Sequence, residues 1–130
     1  MIFTKSFTAQ PSDIDELGHV NNAIWVRWVQ DLATAHWAAA APLEHQQAYI
    51  WVVARHEIDY RGNLGVGGVA EGATWVSGEP RGALADRHFR FRDDAGRVLV
   101  EGVTRWALLD RTSGRPLRVR PAVLAPFVAS

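Results

Sequence analysis

Residues 22–41 read NAIWVRWVQDLATAHWAAAA, and the polar positions recur at helical spacing. Arg27, Gln30, Asp31 and Thr34 form a stripe at i, i+3, i+4 and i+7, with Trp25, Trp28, Val29, Leu32 and His36 on the opposite side. The pattern predicts one long amphipathic helix over 22–41. Asn21 precedes it as an N-cap, and Val20 at N′ can pack on Trp25 at N4 as a hydrophobic staple. Ile24 at N3 means there is no full capping box, and Pro42 stops the helix.

After about residue 49 the period changes to two. In IWVVARHEIDYR, Arg55, Glu57, Asp59 and Arg61 alternate with Ala54, His56, Ile58 and Tyr60, as in a half-buried strand. Similar alternation runs through 69–77, 86–92 and 97–110, and a short strand is expected at Phe3–Ala9. GNLGVGG (62–68), SGEPRG (77–82) and DDAG (93–96) supply turn chemistry between them. Everything beyond residue 49 therefore reads as strands, and the expected fold is α+β: about five antiparallel strands with one helix packed on a sheet face. A single domain over 1–130 is expected at this length. One helix cannot cover both sheet faces, and six Trp are many for so small a chain, so a homo-oligomer is expected to bury the excess apolar surface.

Composition narrows the chemistry. With no Cys, there is no disulfide, thiolate nucleophile or Cys-type zinc site. MIFTKSFTAQ lacks the basic and apolar regions of a secretion signal, and no apolar run reaches the ~18 residues of a membrane span, so a cytoplasmic address without membrane attachment is expected. The formal net charge is zero, yet residues 81–120 carry ten Arg against five acids. The plainer explanation is a solvated sheet face; the sharper one is an anionic ligand such as a phosphorylated cofactor. Scattered Arg in a neutral chain argues against nucleic acid.

Two glycine- or serine-based motifs are excluded. GNLGVGG is followed by a strand pattern, whereas a phosphate-cradling glycine loop needs a helix immediately after it. There is no G-x-S-x-G and hence no serine-hydrolase elbow.

DIDELGHVNN (13–22) allows three readings. As a helix entrance, Asn21 caps, Gly18 makes a turn with positive φ, and the acids favour the positive helix end, each contributing about 1 kcal/mol or less. As a metal loop, Asp13, Asp15 and His19 supply mixed ligands without a second ligand cluster nearby. As a catalytic loop, a carboxylate at Asp15 lies beside the free backbone N–H groups of a helix start around Asn22. Those donors can polarise a carbonyl while the carboxylate attacks it or directs water onto it, with His19 as neutral hydrogen-bond partner or orienter. No cofactor is required.

D-x-D-x-x-G-H-V-N-N followed by an apolar helix with Trp28 resembles the hotdog-fold acyl thioesterases of the 4-hydroxybenzoyl-CoA thioesterase type. The resemblance continues through EIDY (57–60), the glycine-rich connector, TWV (74–76), TRWALLD (104–110) and RTSGRPLRV (111–119). It implies a curved antiparallel sheet wrapped around the long helix, a homodimer or homotetramer with active sites at the dimer interface, and hydrolysis of an acyl-CoA or acyl-carrier-protein thioester. By the resemblance the catalytic carboxylate is Asp15, the polarising amide is that of Asn22, His19 matches a His four residues after that Asp, and Asp13 is structural. Asn21 and Trp25 are expected beside the substrate, with the apolar helix face lining an acyl pocket, and Arg87 and Arg90 as contacts for nucleotide or phosphopantetheine phosphates. Tyr60-Arg61-Gly62 and Gly67-Gly68 depart from the family's usual Pro after the Tyr and Gly-Asp after the connector. Residues 22–41 hold no Glu, which favours the loop-Asp subfamily over one with a helix Glu. The rivals are a hotdog hydratase or dehydratase and a non-catalytic acyl-CoA binder.

Overall fold

A computed structural model describes residues 2–77 and 79–128. The elements run β1 (Phe3–Thr8), α1 (Asn22–Ala40), α2 (Leu43–Ala48), β2 (Tyr49–Tyr60), β3 (Val69–Val76), β4 (Leu84–Arg92), β5 (Val98–Asp110) and α3 (Pro121–Val128), with one 3-10 turn at Pro11–Asp13. The strands form one five-stranded antiparallel sheet in the order β1-β3-β4-β5-β2. This is the α+β arrangement that the alternating patterns predict, and the hotdog fold that the family resemblance implies. Gly78, within the turn expected at 77–82, lies outside the described residues.

The helix forms where its stripe predicts and buries the expected side. Trp25, Trp28, Val29, Leu32, Ala33 and His36 are buried, while Arg27, Gln30, Asp31 and Thr34 are exposed. Val20 and Trp25 are both fully buried in one cluster, as the staple requires. Close approach of α1 to the sheet depends on Gly72: a Cβ there would lie 2.8 Å from Phe91 and 3.0 Å from Leu32. Two apolar clusters follow. One gathers around the N-terminal half of α1 with Phe7, Trp25, Leu32, Phe89 and Phe91. The other gathers around its C-terminal end with Val76, Ala85, Leu108, Leu124 and Phe127.

Two expectations are corrected. The chain beyond residue 49 is not strand throughout, because Pro121–Val128 forms α3 and buries Val123, Leu124 and Phe127. PAVLAPFV carries no polar stripe and has Pro126 inside, so no helical period shows in its text, although Pro121 stands at the first position, where proline suits a helix. In β2 the alternation changes phase: Trp51 and Val53 face inward, a bulge falls between Val53 and Arg55, and His56 and Ile58 face inward after it. Ala54 is therefore exposed rather than in phase with His56.

Candidate active site

The stretch 13–22 folds as a narrow antiparallel loop closed onto the start of α1. Ile14 bridges Val20, the Asp15 N–H donates to the His19 carbonyl at 2.8 Å, and the Asn21 N–H donates to the Asp13 carbonyl at 2.9 Å. Gly18 turns the loop at φ 77°, the left-handed region that suits glycine. The Asp15 carboxylate braces this turn through Oδ1, which accepts from the N–H of Leu17 at 2.9 Å and of His19 at 3.2 Å. Among the described residues nothing donates to Oδ2, and Asp15 is only partly buried, so one carboxylate oxygen remains for chemistry.

The helix start shows a matching asymmetry. Asn21 is the N-cap in extended conformation, and its Oδ1 accepts from the Ala23 N–H at 2.9 Å. The Ile24 and Trp25 N–H groups reach the Asn21 carbonyl at 2.9 and 3.3 Å. Of the first four amides, only that of Asn22 has no acceptor among the described residues. That donor is exposed at the positive end of a 19-residue helix.

His19 and Asp15 are brought together through the backbone, not through the imidazole. His19 lines a shallow groove with Tyr60, Arg61, Gly62, Asn63, Leu64 and Gly65. The groove's floor is the connector that sequence reasoning set aside. Asn63 Oδ1 accepts from the N–H groups of Val20 at 3.0 Å and Leu64 at 2.8 Å, and the Leu64 carbonyl accepts from Val20 at 3.1 Å. Asn63 thus pins the Asp15 loop from 43 residues away. A polar side chain interrupting a glycine run was its only signal.

The remaining site residues lie elsewhere. Trp25 is fully buried, edge-on to Trp28 and Phe91, and packs the core rather than lining an open pocket. Arg90 is on the outer sheet face, with Nε 3.2 Å from Glu101 Oε1 and its guanidinium over Trp75. Glu101 also accepts from Arg61 at 2.6 Å, and these bonds hold its carboxyl below the usual range, Arg61 contributing most. Arg90 is therefore already paired. Arg87 points inward: it is in phase with Phe89 and Phe91, its Nη1 donates to His36 Nδ1 at 2.8 Å and Thr74 Oγ1 at 3.2 Å, and it covers the Phe127 ring. Arg87 thus faces the interior and Arg90 the outer sheet face, where the sequence reading expects both at the phosphates of a nucleotide or phosphopantetheine.

The profile of the thioesterase-like superfamily matches residues 9–127. The chain belongs to that superfamily. No curated protein matches the sequence. Among solved structures, the fold is similar to a Lactobacillus plantarum protein assigned provisionally as an oleoyl thioesterase, with 18% identity, a TM-score of 0.86, and coverage of 98% of this chain and 50% of that one. The chain thus spans about half the length of that relative. A 1,4-dihydroxy-2-naphthoyl-CoA thioesterase of Synechocystis is 8% identical, with a TM-score of 0.81 over 98% of this chain and 96% of that one. A Staphylococcus aureus protein solved in complex with CoA is 13% identical, with a TM-score of 0.81 over 97% and 81%. At these identities the structural likeness speaks for the fold. Among the described residues no helix is long and apolar enough to cross a membrane, and no three His, Asp or Glu side chains group as a metal site would need.

Proposed function

We propose that this thioesterase-superfamily chain hydrolyses an acyl thioester of coenzyme A or acyl carrier protein, using the Asp15 loop and the start of α1. The observation that carries the reading is the pairing of an unengaged carboxylate oxygen on Asp15 with the one helix-start amide, Asn22, that lacks an acceptor. The Asn22 N–H donates to the thioester carbonyl oxygen and stabilises the negative charge that develops there when the carbonyl carbon is attacked. Asp15 Oδ2 either attacks that carbon, expelling the thiolate and leaving an anhydride that water then cleaves to free acid and Asp15, or takes a proton from an attacking water and returns it to the thiolate that leaves as the carbonyl reforms. Both routes use the same two groups. His19, in the groove beside the loop, orients the thioester, and Asn63 positions the loop through the N–H groups of Val20 and Leu64.

The site is proposed to be completed by a second copy of the chain. β2 is a 12-residue edge strand paired on one side only, and it leaves Ile50 and Val52 each 39% exposed. Such an edge is an open template for another strand, and pairing with its counterpart would bury these side chains.

Thiol release from short, long and aromatic acyl-CoAs tests the reading, with Asp15→Asn run beside the native chain. Asn keeps the Oδ1 acceptor that braces the turn, so the loop survives while the carboxylate is lost. Native release on at least one substrate and a loss of about 100-fold or more in the variant is expected. Equal turnover by both proteins, or hydration of crotonyl-CoA in place of thiol release, would replace this reading.

A further inference from the structure

The two apolar clusters meet at a polar seam. On α1 it is His36, between Leu32 and Ala41; on β3, Thr74, between Ala70 and Val76; on β4, Arg87, between Phe89 and Ala85; on β5, Thr104, between Val100 and Leu108. β2 adds His56, whose Nδ1 lies 2.9 Å from Thr104 Oγ1. Arg87 carries the seam's charge. Burial pushes its guanidinium down to about 10, so it remains a cation at neutral pH. Among the described residues no carboxylate lies within ion-pair distance of it. Arginine only donates, so His36 Nδ1 must accept, which places the ring proton on Nε2. That Nε2–H is buried without an acceptor, and so is the Nε1–H of Trp106. A half-buried cation with no carboxylate beside it and two buried donors lacking an acceptor are costly unless something supplies the negative partner.

A cavity of about 200 Å³ opens on this seam. Arg87 lines it together with Trp37, Tyr49, Trp51, Trp106 and Phe127. Its one carboxylate, that of Asp86, is held by Arg105 at 3.0 Å, and of its two cations Arg111 is exposed and donates to the Tyr49 carbonyl at 3.2 Å, so Arg87 is the inner cation and no free anion faces it. An apolar cavity of about 150 Å³ holds a benzene molecule, so this one has room for a single ring with a carboxylate attached. We infer that the cavity beneath the C-terminal half of α1 binds a ring-sized organic carboxylate, its ring among the tryptophans and its charge on Arg87. The guanidinium fork suits a carboxylate, since only Nη1 is engaged by the protein. Thr34, also on the cavity wall, is twelve residues along the helix from Asn22, about 18 Å. The site therefore stands whether or not Asp15 performs hydrolysis.

The test is a titration of the full chain, followed through its tryptophan indole NMR signals, with sodium benzoate and with neutral benzamide at fixed ionic strength. Saturable shifts of Trp37, Trp51 and Trp106 are expected, with benzoate at least tenfold tighter than benzamide. Arg87→Met should erase that preference. Thr34→Phe, a change at an exposed helix position on the cavity wall, should weaken benzoate at least tenfold without unfolding the chain, and it keeps the test decisive if the Arg87 variant fails to fold. Benzoate binding no tighter than benzamide, non-saturable shifts, or a preference that survives Arg87→Met would overturn the inference.

Discussion

The two ends of α1 are built by opposite means. At the N-terminal end the working groups are exposed or partly buried, and mostly backbone makes the site: one carboxylate, one amide without an acceptor among the described residues and a turn closed by hydrogen bonds between residues fewer than ten apart, braced from afar by the Asn63 side chain. At the C-terminal end the groups are buried, and side chains make the site, brought together from positions as far as 51 residues apart. The contrast teaches that exposure and local construction suit a group that must meet a reacting bond. Burial and long-range construction instead hold a charge in low dielectric, where a partner ion is worth more.

The largest separation of the two ends should come from Asp15→Asn. Thiol release should fall by about 100-fold or more, roughly 3 kcal/mol of transition-state stabilisation, while urea unfolding shifts by less than about 1 kcal/mol. A loss of stability matching the loss of rate would make Asp15 a structural residue and erase the distinction.

Next is the pH dependence of stability, which reports the buried end. Burial, and then the Arg87 charge, lowers the His36 pKa to about 4 from its ordinary 6.5. The unfolded chain therefore takes up this proton first. The contribution is whole above pH 6.5, declines as pH falls, and is spent once pH passes the folded value near 4. Its size is on the order of 2–3 kcal/mol. His36→Gln keeps an acceptor for Arg87 but cannot titrate, so its stability should fall less than the native chain's between pH 6.5 and 4. Parallel curves would remove His36 from the account.

Smaller effects belong to the loop's supports. Asn63→Ala removes two acceptor contacts and should cost about 1–2 kcal/mol in unfolding free energy. It should also slow thiol release, because Val20 and the Asp15 loop lose their brace. Unchanged turnover would show that the connector holds the fold but not the site. Asn21→Ala removes the cap of Ala23 and should cost about 1 kcal/mol by the same measurement. A cost below a few tenths would mean that the loop, not the cap, sets the helix start.

This contrast also explains what the sequence text reveals. The α1 stripe, the cap at Asn21 and the turn at Gly18 are all set within short stretches, and each was legible. α3 was not, since PAVLAPFV is apolar on all sides and offers no period. The role of Asn63 depends on a contact with Val20 that no local pattern encodes. The inward direction of Arg87 was not read, because charge drew attention before phase: in RHFRFR it is in phase with Phe89 and Phe91 while Arg90 and Arg92 are not. Phase along the strand, weighed above charge, would have turned it inward.

The central claim, that the unpaired Asn22 amide polarises the reacting carbonyl, is tested most directly by Asn22→Pro. Proline is favoured at the first position of a helix, and Asn21 at φ −60°, ψ 139° already has the extended backbone that a following proline requires. The Asn22 N–H makes no bond among the described residues, so the substitution deletes a donor that their fold does not use. The account predicts an unchanged helix by circular dichroism and thiol release reduced by about 100- to 1,000-fold on the best acyl-CoA. A folded Asn22→Pro protein that turns over within a few-fold of the native rate would contradict it.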